Sequence, residues 1–81
     1  MALQQGETGS LTAGLRQTQR LIAAGRAARV LVARDADERI RRLVVAQAQE
    51  AGVPVEMCES MAALGRRCRI AVPCAAAAET I

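Results

Sequence analysis

Gly14 followed at once by Leu15, Arg16, Gln17, Thr18, Gln19 and Arg20 is the first stretch of this sequence that could do chemistry. A glycine just before a helix lets a nucleic-acid backbone come close. The unpaired first-turn amides and the positive end of the helix dipole then attract phosphate. Arg16 could take a guanine edge through two parallel donors, and Gln17 could bridge a base edge and a backbone. An ordinary glycine-started helix with polar outer residues shows the same letters, so both readings stay open here.

The second stretch is Arg69-Ile70-Ala71-Val72-Pro73, an apolar run straight after the basic cluster Arg66, Arg67 and Arg69. It could offer an aliphatic surface to an unstacked base. Alternatively, Ile70 and Val72 turn inward as core plugs. Asp35 and Asp37 could bind Mg²⁺ or act as acid and base, but they stand where a helix begins, and capping accounts for them. Glu56 and Glu59 have no base beside them and read as surface residues. Cys58, Cys68 and Cys74 are odd in number and lack a C-x-x-C spacing, which fits neither a zinc knuckle nor a disulfide framework. They are expected as small buried residues, with a reactive thiol as the alternative.

Composition narrows the chemistry further. The chain has 81 residues, room for one small domain. It contains no His, Phe, Tyr, Trp or Lys, and alanine fills 18 positions. Without His there is no Ser-His or Cys-His pair and no imidazole ligand. Without aromatic rings there is no base-stacking platform, and without Lys no Schiff base. An enzyme is not expected, nor a metal or cofactor.

The net charge of +3 hides an asymmetry, because five arginines and no acid lie between Gly14 and Arg34. Such concentration points to an anionic partner, nucleic acid first. A solvated helix face, or a GC-rich coding bias, would give the same residues. The first residues lack a charged region followed by an apolar one, and the longest apolar run, 70–78, contains Pro73 and is too short to span a bilayer. A soluble, cytoplasmic protein with no membrane contact is expected.

These candidates must be positioned by elements that the periodicity lays out. Residues 1–8 read as a loose N-terminus and 9–81 as a single domain. Ser10–Ala13 could form a short edge strand. Leu15–Ala24 forms a helix with Leu15, Thr18, Leu21 and Ile22 inward, closed at Gly25. Arg29–Ala33 is an apolar strand buried on both faces. Asp35 with Glu38 makes a capping-box variant. The helix it opens runs to about Glu50, with Ile40, Leu43, Val44, Ala48 and Ala51 inward, and Gly52 closes it. Val53–Met57 is a second strand, parallel to the first through a right-handed crossover. Ser60 caps a helix from Met61 to about Arg67, interrupted or ended near Gly65. Arg69–Pro73 is a loop, and Cys74–Ala78 a last strand despite the poor strand propensity of alanine. The fold class expected is α/β: a three-layer α/β/α sandwich with a small mixed four-stranded sheet.

Several segments in register resemble the L-seven-Ae family of ribosomal and RNA-binding proteins, and within it the small bacterial YbxF-like branch. They are Gly14 to Arg20, Gly25, Val30 to Asp37, Gly52 to Val55, Glu59-Ser60 with Leu64-Gly65, and Ile70 to Ala75. The resemblance spans about residues 9 to 78. It implies binding of a kink-turn, a sharply bent duplex–bulge–duplex RNA, through the first helix at tandem sheared G·A pairs. Gly14 and Leu15 would then line the close approach, Arg16 and Gln17 would contact guanine edges, and Arg20 and Arg34 would take phosphate. Ile70, Ala71, Val72 and Pro73 would lie against the splayed bulge nucleotides. Bacterial members typically carry Lys-Gln where this chain has Arg16-Gln17. Leu15 replaces a small or hydroxyl residue, and Arg69 stands where glycine is common. The partner implied is structured RNA, ribosomal or riboswitch, bound by a monomer with no DNA specificity. A second function class is an adaptor of the same fold whose arginine-bearing helix face docks a protein or small ligand.

Overall fold

The computed structural model describes residues 10–81; the reading of 1–8 as a loose N-terminus lies outside them. Along the chain run β1 (Leu11–Ala13), α1 (Leu15–Ala23), β2 (Ala27–Ala33), α2 (Glu38–Glu50), β3 (Val55–Cys58), α3 (Met61–Arg67) and β4 (Ala76–Thr80). The sheet order is β1-β4-β2-β3, with β2 and β3 parallel and β4 antiparallel to both β1 and β2. This is the mixed four-stranded sheet of the expected three-layer sandwich.

Alternation along β2 divides the core between two layers. Val30 and Val32 face one way, packing with Ala76 and Ala78 against Ile22 of α1 and Val44 and Ala48 of α2. Leu31 and Ala33 face the other way, with Ala77, Cys58 and Cys74 against Leu64 of α3. Alanine weakens an isolated strand, yet Ala76, Ala77 and Ala78 are fully buried in a central one. Their small side chains let helices close in from both faces, so packing overrides propensity.

Several boundaries differ from the sequence reading, each for a reason that lies in tertiary pairing. β2 starts at Ala27 and β4 runs to Thr80 because these ends pair with each other across an irregularity near Arg29. β3 begins at Val55, where its register with Val30 begins. Cys74 precedes β4 because its amide is spent on the Met61 carbonyl at 3.0 Å. Gly65 neither ends nor interrupts α3 but lies buried inside it. Leu43 and Ala51, placed inward by periodicity, are exposed, and half-buried Val45 packs on the core instead.

The helix cap is also corrected. Asp37, not Asp35, caps α2 by accepting the Arg39 amide at 2.8 Å. Asp35 instead accepts the Met61 amide, 26 residues away, at 2.7 Å. It thus ties the turn after β2 to the first residue of α3, a link no local pattern encodes.

Candidate nucleic-acid interface

Strands β1, β2 and β3 run in the same direction, so the helix that follows each begins at the same end of the sheet. Three positive dipole ends therefore gather there. Two are closed by side chains. Asp37 caps α2, while Ser60 takes the Ala63 amide of α3 at 3.0 Å and Asp35 takes that of Met61. α1 has no side-chain cap. Its first intrahelical bond is Thr18 N–H to the Gly14 carbonyl at 3.0 Å, leaving the amides of Leu15, Arg16 and Gln17 without an intrahelical partner.

Gly14 makes that opening. Its φ of 111° and ψ of 147° lie in a region that essentially only glycine occupies. Its amide still completes the sheet by donating to the Ala76 carbonyl at 2.9 Å. Strand pairing therefore continues to the residue where the helix starts, and the turn between them is fixed. Arg16, Gln17 and Arg20 are exposed, whereas half-buried Leu15 packs against the core. Among the described residues, Arg16, Arg20 and Arg34 make no ion pair.

The loop before β4 stands at the same end, because Gly14 pairs with Ala76 and Ala33 donates to the Ala75 carbonyl at 2.9 Å. Ile70 is 37% exposed and Val72 61% exposed, so neither is a core plug. Ala71 and Pro73 are exposed as well. An aliphatic rim thus stands near an uncapped helix start. Arg34, at the end of β2, also lies at this end, its amide bonded to the Cys58 carbonyl. The structure accordingly brings Gly14, Arg16, Gln17, Arg34 and the 70–73 loop to one edge, with Arg20 about one turn further along α1.

Sequence reasoning missed how the loop is carried. α3 closes on Arg69 at φ 61°, with Arg69 N–H to the Arg66 carbonyl and Ile70 N–H to the Gly65 carbonyl, both at 3.0 Å. This is a Schellman end with arginine in the left-handed position. Two signals were available: Gly65, a glycine inside a helical pattern, and Arg69, standing where glycine is common.

Not all of the arginine-rich segment serves this edge. Arg29 is held by Glu56 at 3.0 Å and Glu79 at 3.5 Å, and Arg67 joins Glu56 at 2.9 Å. Glu56, read as a surface or rim residue, is bracketed there by two guanidiniums. Arg67 first and Arg29 second hold its carboxyl below the usual range and outweigh the opposing effect of burial. Burial pushes the Cys68 thiol up to about 11, with Cys74 beside it adding to the rise, which disfavours a reactive thiol near neutral pH. Among the described residues no cluster of acids and thiols is placed to hold a metal ion, and no helix is long and apolar enough to cross a membrane.

The model of the ribosomal protein L7Ae/L30e/S12e/Gadd45 family matches residues 2–81. An "RNA-binding protein" of Geobacillus thermodenitrificans is 44% identical over 72 residues, 89% of this chain and 88% of that one. "RNA-binding protein YbxF" of Geobacillus stearothermophilus shows the same identity and coverage. Among solved structures, the Giardia lamblia 15.5 kD RNA binding protein superposes with a TM-score of 0.77 at 27% identity, covering 89% of this chain and 61% of that one. A Bacillus halodurans protein of unknown function reaches 0.81 at 17% identity over 89% of this chain and 72% of its own, a likeness of fold.

Proposed function

Because the chain belongs to the ribosomal protein L7Ae/L30e/S12e/Gadd45 family, in its YbxF-like branch, we propose that it is a non-enzymatic RNA-binding protein whose target is a kink-turn. The observation that carries this reading is the uncapped start of α1 behind Gly14, set beside the exposed 70–73 loop. The names of its relatives support RNA as the partner, and free helix amides set beside an exposed aliphatic loop support a target that offers phosphate and an extruded base together.

The three free amides and the dipole of α1 hold phosphate where the widened groove meets Gly14. Arg16 presents two donors in a plane, suited to a guanine O6 and N7, while Gln17 bridges base and backbone. Arg20 and Arg34 neutralise flanking phosphates. Ile70 and Val72 give an extruded base an apolar surface without a stacking ring. A protein that binds only the kinked state draws the RNA's own equilibrium toward it. It acts as a cytoplasmic monomer on ribosomal or riboswitch RNA.

A fluorescence titration against a kink-turn RNA and a plain duplex of equal length tests this. The kink-turn should bind more tightly. If roughly four arginines displace counterions, log affinity should fall with log salt at a slope on the order of −3. Equal affinity for both RNAs would overturn the kink-turn assignment.

A further inference from the structure

Gly65 sits in the middle of α3 and is buried. Its φ is not in the left-handed region, so conformational freedom does not explain the residue. Glycine inside a helix costs about 1 kcal/mol relative to alanine. What explains it is the approach of the 70–73 loop. A Cβ on Gly65 would run into the Val72 carbonyl oxygen, with the Val72 carbonyl carbon at 3.3 Å and the Pro73 Cα at 3.5 Å. Every obstructing atom is backbone, so no side-chain rotation could make room.

The loop is otherwise tied to α3 on both sides of this seat. Ile70 donates to the Gly65 carbonyl before it, and Cys74 donates to the Met61 carbonyl after it, both at 3.0 Å. α3 is itself immobilised by fully buried Leu64 and by Asp35 bonded to the Met61 amide. The loop can thus approach α3 this closely only because Gly65 lacks a methyl group.

We propose that Gly65 is a positioning residue for nucleic-acid recognition: by seating the Val72 carbonyl on α3, it sets where Ile70 and Val72 stand relative to the start of α1, and so which extruded bases the edge accepts. This rests on the RNA reading above. Aliphatic contacts are short-ranged, and a radial gap of about 1 Å already forfeits roughly half of a dispersion well. A loop lifted by about that much would keep the arginine contacts and lose the base contact.

The experiment compares the wild type with Gly65→Ala on three RNAs: a kink-turn, the same RNA with abasic bulge positions, and a plain duplex. Circular dichroism first establishes that each protein is folded. The wild type should bind the abasic RNA roughly tenfold more weakly than the intact one. Gly65→Ala should bind the intact RNA about as weakly as the wild type binds the abasic one. It should be indifferent to the abasic change, and its salt slope should be unaltered. Arg69→Pro has a ring that forbids the positive φ turning the chain into the loop, and it removes the amide bonded to the Arg66 carbonyl. It moves the same segment without placing an atom in the core and should likewise be indifferent to the abasic change, though with one charge fewer. A folded variant of either kind that keeps the full abasic penalty overturns the proposal. The seat is also read without RNA. Trypsin should cut after Arg69 several-fold faster in Gly65→Ala than in the wild type, and an unchanged rate overturns it. If the wild type shows no preference for the kink-turn while that rate rises, the RNA reading fails and the seat stands.

Discussion

The hydroxyl of Thr18 donates a 2.8 Å hydrogen bond to the carbonyl of Gly14, the same oxygen that receives the Thr18 amide at 3.0 Å. Thr18 is completely buried, so a polar side chain in the core is spent on holding the turn that opens α1. With the Gly14 amide committed to Ala76, the glycine is fixed at both of its polar groups. The three free amides that follow are preorganised before any ligand arrives.

Replacing Thr18 with the isosteric valine removes that bond and leaves no buried donor behind. The expected loss is about 1 kcal/mol, or a fall in Tm of roughly 4–8 °C for a domain of this size. A thermal melt measures it. An unchanged Tm would mean that the hydroxyl adds nothing to the turn.

Arg16 and Arg26 carry the same charge at opposite ends of α1. Arg26 closes the helix through its amide on the Leu21 carbonyl and accepts the Ile81 amide, far from Gly14. Arg16→Ala should weaken kink-turn binding by about 1–3 kcal/mol, with discrimination against duplex falling as well. Arg26→Ala should change affinity by no more than about twofold, within the weak effect of a distant, screened charge. Titrations of both variants at one salt concentration decide it, and equal losses would reduce the basic segment to a diffuse field.

How far the sequence could take this reading depends on the distance over which each feature is determined. The start of α1, the Ser60 cap and the glycines that close α1 and α2 are local, and all were legible in residue type and spacing. The buried alanines of β4 were legible only against propensity. The partners of Glu56, 27 residues away at Arg29 and 11 away at Arg67, were invisible, as was the bond from Asp35 to Met61. Ile70 and Val72 could have faced either way, and the weak periodicity of a five-residue loop leaned inward, whereas both are exposed. The close approach of the loop to Gly65 is a matter of backbone atoms and leaves no pattern beyond the glycine itself.

All three helices end in the same way, with paired bonds from the two residues after the cap back into the last turn. Gly25 and Gly52 occupy the left-handed position in α1 and α2, at φ 70° and 73°, but Arg69 occupies it in α3 at 61°. A side chain in that conformation costs about 1–2 kcal/mol, partly offset by the greater freedom of glycine in the unfolded chain. Arg69→Gly should therefore stabilise the protein by about 0.5–1 kcal/mol. Chemical denaturation checks it through a raised midpoint with an unchanged m-value, and destabilisation would show that the guanidinium makes a contribution larger than the strain.

Glu56 should shape the acid limb of stability. Arg67 and Arg29 hold its folded pKa below the ordinary value. A group depressed in this way adds stability above its unfolded pKa, about 4.3, and loses it as pH falls through the folded value. The Glu56 side chain is 39% exposed, so solvent screens the pairs and the contribution is about 1 kcal/mol or less. Glu56→Gln should thus lower the Tm modestly at pH 7, where the wild-type carboxylate is ionised. Below about pH 4.3 the wild type should lose its advantage, and the two curves should converge as the carboxyl takes up its proton. Asp35, Asp37 and the other acids are common to both proteins, so the difference between the two Tm–pH curves isolates this one carboxyl. A gap that stayed constant down to pH 2 would assign the effect of the substitution to packing rather than to the pairs with Arg67 and Arg29.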